Sequence, residues 1–224
     1  MEIMLQIEKL SYGTPTGRPL VKDVSFNVSN GDIAVIKGPN GIGKSTFLKI
    51  VSGFHKQLNG RIKNFSGPEK MVFFPQISGG EFHIDLTILD VLKISLGRRF
   101  DTAMILDFGL LNKGHFSRSW NTASGGEKQR TLLTRVFLQD SNVLVLDEPM
   151  NHLDKETRLQ VKKKILDYVN NTGQQKVRRA VILVTHESFE STDLKRGNLI
   201  NVDLGQFKYR RRSQVTSKIA TELT

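Results

Sequence analysis

A glycine-rich segment between a predicted strand and a predicted helix constrains this chain more than any other feature. The apolar run 33–36 before it predicts a buried strand, and Phe47, Leu48 and Val51 after it share one helical face. Glycines at such a turn let backbone N–H groups point inward and cradle a phosphate chain. The spacing G-x-x-x-x-G-K-[ST] therefore predicts a phosphate-binding loop. The segment reads Gly38-Pro39-Asn40-Gly41-Ile42-Gly43-Lys44-Ser45-Thr46.

Two residues of this loop and two acids much later in the chain predict the chemistry. Lys44 can reach the β- and γ-phosphates of a nucleotide, and the Ser45 hydroxyl can bind Mg²⁺. The apolar run 143–146 ends in Asp147 and Glu148. In a phosphate-loop protein, Asp147 would bind Mg²⁺ and Glu148 would polarise the attacking water.

Composition limits the class of protein. The 224 residues are 38% hydrophobic, which suits one large domain, and they include no cysteine. A secretory signal begins with basic residues, whereas this chain has an acid at its second position, so we expect no secretory signal. No run approaches the ~20 apolar residues of a membrane span. The net charge is +11, and from Lys195 onward seven basic residues face two acids. Such a tail could meet nucleic acid or an anionic membrane, but a solvated polar tail is the simpler interpretation, so no direct contact with nucleic acid is expected.

The pattern along the chain predicts an α/β fold. The continuous apolar runs 143–146 and 181–184 are typical of central strands in a parallel sheet. Between them and the glycine-rich loop, Thr87 and Asp90 have capping-box spacing and Asp101 can cap a second short helix. We therefore predict a single P-loop NTPase domain over 1–224. It has a mostly parallel central sheet, an antiparallel β subdomain at the N-terminus and an inserted helical subdomain at about 77–123.

A second glycine motif, Ser124-Gly125-Gly126-Glu127, precedes an amphipathic helix that carries Leu132 and Val136. Consecutive glycines at a helix start offer a second anion-binding site. The same tetrapeptide occurs at 78–81, but neither an amphipathic helix nor an acid-tipped strand follows it. We assign that copy to a loop.

From Tyr12 to His186 the chain resembles the ATP-binding cassette (ABC) family, with every motif in family order. Tyr12 stands where the family stacks an aromatic ring on adenine. Gln76 matches the Q-loop, which senses Mg²⁺ and the attacking water. Residues 123–127 match the signature, 151–154 match the D-loop, and His186 matches the histidine that contacts the γ-phosphate.

The resemblance implies a Mg²⁺-dependent ATPase. Its catalytic residues would be Lys44, Gln76, Glu148 and His186, and its metal ligands Ser45, Gln76 and Asp147. Its nucleotide contacts would be Tyr12, residues 38–46, Ser124, Gly125, Gly126, Glu127 and, at the interface of a dimer, Asp154. The chain departs from the family at Ala123, where Leu is usual, and at Met150, where Thr or Ser is usual. These departures remove no phosphate, metal or water ligand.

Three kinds of ABC protein remain open. A lone cassette looks like the nucleotide-binding subunit of a transporter, paired with an integral membrane permease. It would be cytoplasmic, at the inner face of the cell membrane, and a homodimer or paired with a related cassette. The sequence Asn151-His152-Leu153-Asp154 is instead typical of the ribosome-associated ABC-F group, although that group carries two cassettes on one chain. A scaffold without activity is disfavoured by the intact Lys44, Asp147, Glu148 and His186.

Overall fold

The computed structural model describes residues 2–14, 17–65, 67, 70–76, 84–139, 141–170 and 177–209. The strands are β1 (Ile3–Gly13), β2 (Pro19–Ser29), β3 (Ile33–Lys37), β4 (Asn59–Asn64), β5 (Met71–Phe74), β6 (Val143–Asp147), β7 (Ala180–Val184) and β8 (Leu199–Asp203). The helices are α1 (Lys44–Val51), α2 (Ile88–Leu96), α3 (Thr102–Phe108), α4 (Lys113–Phe116), α5 (Gly125–Leu138) and α6 (Lys155–Asn170). The second copy of the glycine motif, at 78–81, and the basic segment 210–224 lie outside the described residues.

The central sheet has five strands in the order β5-β6-β7-β3-β8, and all its described pairings are parallel. Every residue of β6 and β7 is buried, as expected for strands covered on both faces. The predicted α/β fold with a parallel sheet is confirmed. Because parallel strands end at one edge, the loops after β3, β5, β6 and β7 all meet there, which is where open α/β sheets bind ligands.

An antiparallel sheet in the order β2-β1-β4 forms the N-terminal part of the fold, as predicted. Its first strand, β1, shifts register against β2 between Ile7 and Leu10 and again between Leu10 and Tyr12. The strand β4 has a polar, alternating sequence with weak strand signals.

The helices α2, α3, α4 and α5 pack around a separate hydrophobic cluster, which includes Ile88, Leu92, Ile105 and Trp120. Thr87 and Asp90 form the predicted capping box of α2. The Asp101 carboxylate accepts from the N–H groups of Ala103 and Met104, the second and third residues of α3, as its predicted cap should. In the described part of the chain, no helix is long and apolar enough to cross a membrane.

Candidate functional site

The glycine-rich loop joins β3 to α1 at the edge of the central sheet. Gly38, Gly41 and Gly43 have φ values of +140°, +78° and +93°, which side chains rarely adopt. A Cβ at Gly43 would also lie 3.0 Å from Cε2 of Tyr12 and 3.1 Å from Cδ1 of Leu20, so these side chains would have to shift. Gly43 begins α1 without a side-chain cap. The first N–H groups of the helix are therefore available to an anion.

Lys44 lies across this loop. Its Nζ donates to the carbonyl oxygen of Gly38 at 3.0 Å and to that of Pro39 at 3.4 Å. The ammonium group thus stands beside the same loop whose N–H groups can hold phosphates. This arrangement suits the predicted role of Lys44 as a counter-charge for a phosphate chain.

Asp147 ends β6 and is buried, with 1% of its surface exposed. Burial raises the pKa of its carboxyl above the ordinary value, and the charge of Glu148 adds to that effect. The Ser45 side chain makes a hydrogen bond that opposes the shift. Among the described residues, Oδ1 of Asp147 has no hydrogen-bond partner. Mg²⁺ prefers oxygen ligands. The Ser45 hydroxyl and the unsatisfied Oδ1 of Asp147 therefore fit a Mg²⁺ site.

Glu148 follows Asp147 with a φ of +48°, in the left-handed region. Its N–H donates to the carbonyl of Val184 at 3.0 Å, so the turn is fixed to the end of β7. Nδ2 of Asn151 donates to Oε2 of Glu148. Nε2 of His186, on the loop after β7, lies 3.9 Å from Oε1 of Glu148. The structure therefore brings the predicted water-polarising acid next to the predicted γ-phosphate histidine.

Gln76 lies at the same edge. The strand β5 ends at Phe74, which is paired with Leu146 of β6, so Gln76 follows its strand just as Asp147 and Glu148 follow theirs. Gln76 is exposed. The placement of Gln76 is compatible with a Mg²⁺ ligand, and that role stays a prediction.

The signature segment begins α5. Ser124 is the N-cap, and it forms a capping box with Glu127. Glu127 is 5% exposed, and its carboxylate accepts from the Ser124 N–H at 2.9 Å and from Nη1 of Arg118 at 2.6 Å. Burial pushes the pKa of Glu127 upward, but the Ser124 hydrogen bonds and the Arg118 charge outweigh it and hold that pKa below its ordinary value. The expected nucleotide contact of Glu127 stays a prediction, and its carboxylate is engaged inside the chain.

Asp154 caps another helix. Its carboxylate accepts from the N–H of Thr157 at 2.9 Å and from the Thr157 hydroxyl at 2.7 Å, and these bonds lower the pKa of Asp154. The residue is exposed at the start of α6. That position leaves it accessible to another chain, as the predicted interface role requires.

Tyr12 does not occupy the predicted position. Its side chain is fully buried, with its ring 6.1 Å from that of Phe47. Its hydroxyl has no partner among the described residues, and burial raises the pKa of the phenol. The expectation of adenine stacking is wrong for this geometry, because no face of the ring is open. The register shift between Leu10 and Tyr12 accompanies its inward position.

Gln129 was not among the predicted site residues. It is 1% exposed, and its Nε2 donates to the carbonyl of Pro149 at 2.7 Å and to that of Glu148 at 3.3 Å. It therefore ties α5 to the backbone of the turn that carries Glu148. The available signal was its position on the buried stripe of α5, four residues before Leu133 and seven before Val136.

The parallel sheet, the glycine-rich loop and the acids at the sheet edge define a P-loop nucleoside triphosphatase. Residues 21–151, more than half of the chain, match the family described as ABC transporter. The chain belongs to this family of ATP-binding cassettes, whose members are ATPases.

Two relatives and one structure illustrate the similarity. The chain is 34% identical over 193 residues to the ATP-binding protein Uup of Escherichia coli strain K12, covering 83% of this chain but 28% of Uup. It is 31% identical over 200 residues to the taurine import ATP-binding protein TauB of Escherichia coli O157:H7, covering 84% of this chain and 75% of TauB. A solved ABC transporter ATP-binding protein of Pyrococcus furiosus shares the fold, with a TM-score of 0.73 at 24% identity over 92% of this chain and 99% of that one.

Proposed function

We propose that the chain is the ATP-binding and ATP-hydrolysing subunit of an ABC transporter, which powers substrate movement by a separate integral membrane permease. The observation that carries this proposal is the meeting of Lys44, Asp147 and Glu148 at one sheet edge in a member of the ABC family. TauB, an import protein by name, supports it because the match covers 75% of its length. The chain would act in the cytoplasm as a peripheral subunit at the inner face of the cell membrane.

Each residue at the sheet edge would have a separate role in ATP hydrolysis. Lys44 would neutralise charge on the β- and γ-phosphates, and Ser45, Asp147 and Gln76 would hold Mg²⁺, which supplies further charge neutralisation. Glu148 would accept a proton from the attacking water. The hydrogen bond from Asn151 would hold the Glu148 carboxylate in position. His186 would hydrogen-bond the γ-phosphate. ATP hydrolysis by the purified chain should stop when EDTA removes the metal and return with added Mg²⁺; metal-independent hydrolysis would contradict the assignment.

The site would be completed by a second copy of the chain. The segment 124–126 lies at the start of α5 rather than on the phosphate-binding loop, so it would cover the γ-phosphate held by a partner. ATP should then drive a head-to-tail homodimer, or a pair with a related cassette. Light scattering of the Glu148→Gln protein with ATP and Mg²⁺ tests this, with Lys44→Ala in the same background as the control. A particle that stays monomeric at high concentration would rule out self-pairing.

The helical unit would dock the permease. Ile84 and Ile94 are 71% and 69% exposed, which is unusual for isoleucine, and both lie on or just before α2. Ile94→Lys should reduce co-purification with membranes and leave the basal ATPase rate unchanged. Leu159→Lys on α6, which is 60% exposed, is the matched control. Equal membrane association of both variants would argue against this docking surface.

The alternative is a ribosome-associated ATPase similar to the ABC-F group. It is favoured by the sequence Asn151-His152-Leu153-Asp154 and by the basic residues after Lys195. Sedimentation separates the two functions. A transporter subunit should fractionate with membranes, whereas a ribosome-bound factor should sediment with ribosomes and detach as salt rises, because its contacts with RNA phosphates would be electrostatic.

A further inference from the structure

The start of α5 and the turn 148–152 are in close contact at three points. Gln129 donates to the carbonyls of Pro149 and Glu148 at 2.7 and 3.3 Å. A Cβ on Gly126 would lie 3.1 Å from the carbonyl oxygen of His152, so the helix backbone passes close to the turn there as well. One helix end thus faces three carbonyl oxygens of a single turn.

The same turn fixes the predicted catalytic carboxylate. Its left-handed residues are Glu148 and His152, with φ values of +48° and +61°. Asn151 donates from its side chain to the Glu148 carboxylate. A shift of α5 would therefore be passed to Glu148 through Gln129, because closely packed groups move together.

We infer that Gln129 is a positioning residue that couples the two ATP sites of the dimer. The inference rests on the proposed head-to-tail dimer, in which the 124–126 segment of one copy covers the nucleotide of the other. In that arrangement the start of α5 contacts the partner's ATP, while Glu148 serves the ATP of its own chain. Gln129 links the two within one chain, so ATP in one site sets the position of the acid in the other.

Gln129→Met tests the coupling. Methionine keeps the length and approximate volume of the side chain but lacks the N–H donor. Gln139→Met is the matched control, because Gln139 ends the same helix and its Nε2 also donates to a backbone carbonyl, that of Ser95 at 3.4 Å. If Gln129→Met does not fold, Gln129→Asn retains the amide and withdraws it by one methylene.

The measurements are the ATP dissociation constant, kcat and the Hill coefficient for ATP hydrolysis. We expect ATP affinity within about twofold of the parent and a Hill coefficient that falls from above 1 to 1. We also expect kcat to fall at least about fivefold, because a displacement of about 1 Å at a reacting group can cost about 10²-fold. A structural defect would instead lower both the ATP affinity and the amount of active protein, and it would leave the Hill coefficient unchanged.

Three outcomes decide the matter. A Gln129→Met protein that matches Gln139→Met in kcat and Hill coefficient overturns the inference. A wild-type Hill coefficient of 1 overturns it too. Failure of the Glu148→Gln protein to dimerise with ATP overturns the proposed dimer itself, so the two failures are distinguishable.

Discussion

The N-termini of α1 and α5 both carry glycine-rich sequence, but α1 begins without a side-chain cap and α5 begins with a complete capping box. At α1 the first N–H groups remain for a ligand of the same chain. At α5 the N–H of Glu127 already donates to the Ser124 hydroxyl, Gly125 is exposed, and Gly126 is partly buried against His152. The first N–H groups of α1 are therefore left to a ligand or to water, whereas α5 is capped by its own side chain.

The buried carboxylates near these two helix starts differ in the same way. Asp147 has an unsatisfied oxygen and a raised pKa, whereas Glu127 has bonds to both oxygens and a lowered pKa. Of these two carboxylates, Asp147 is the one with an unfavourable charge, which a metal beside α1 would compensate. This contrast indicates that the α1 region is organised to bind a ligand, whereas the start of α5 is held in place by its own hydrogen bonds.

The largest expected effect comes from a residue in neither helix. Glu148→Gln should lower single-turnover ATP hydrolysis by about 10²–10⁴-fold, because a positioned base is lost while size and hydrogen bonding are kept. ATP affinity, measured by equilibrium binding, should be unchanged. Turnover within about threefold of wild type would show that another group acts as the base and would weaken the division between binding and chemistry.

The second-largest expected effect is on ATP affinity, and it comes from replacing a lysine near one of the two helix starts. Lys44→Ala should weaken ATP binding by about 10–100-fold, because charged hydrogen bonds contribute about 1.5–3 kcal/mol. Lys128→Ala is the control: its Nζ contacts the carbonyl of Asn121 at 3.4 Å and the ring of Trp120, not the phosphate-binding loop. Isothermal titration calorimetry compares both. Equal losses would mean that both helix starts bind the nucleotide of the same chain.

Neutralising the two buried carboxylates should shift stability in opposite directions. Asp147→Asn should raise the Tm of the nucleotide-free, metal-free protein at pH 7.5, because burial disfavours the ionised form. Glu127→Gln should lower it by about 2–12 °C, since about 1–3 kcal/mol is lost with a buried bonded group. Thermal unfolding followed by circular dichroism measures both. Shifts of the same sign would remove the contrast between the two sites.

The pH dependence follows from the signs of the two pKa shifts. The folded state holds the Asp147 proton more tightly, so the cost of ionisation disappears as pH falls through its raised pKa, and the Asp147→Asn advantage shrinks. Glu127 has a lowered pKa in the folded state, so its contribution persists above the ordinary carboxyl range and is lost only as pH falls below it. As pH falls, the Asp147→Asn difference in Tm should therefore shrink first, and the Glu127→Gln difference should persist to lower pH.

The smallest effect concerns the cap of α5. Ser124→Ala should destabilise the protein by about 1 kcal/mol and lower its Tm by about 2–4 °C, because an N-cap hydrogen bond is lost. Thr122→Ala, which removes an exposed hydroxyl two residues earlier, should leave the Tm unchanged. An unchanged Tm for both would indicate that α5, like α1, does not depend on its own cap.

Local features of the fold could be predicted because they depend on neighbours in sequence. The Thr87–Asp90 capping box and the Asp101 cap involve residues two or three positions apart. The strands β6 and β7 are continuous apolar runs, which leave few alternatives to a buried parallel strand. The phosphate-binding loop was predictable for the same reason, since its glycines and Lys44 are contiguous.

Long-range features could not be predicted from these patterns. The inward position of Tyr12 accompanies register shifts in β1, which depend on its pairing with β2. The contact between Gln129 and Pro149 joins residues 20 apart that only tertiary packing brings together. The engagement of Glu127 by Arg118 likewise depends on how the loop before α5 folds back.

The buried ring of Tyr12 bears on which end of a nucleotide would be held. Lys44, Ser45 and Asp147 would contact the phosphates and the metal. The Tyr12 ring is packed against Phe47 rather than open to a base. Because stacking needs an exposed aromatic face, Tyr12 would add nothing to binding of the base in this conformation, and nucleotide affinity would come mainly from the phosphate end.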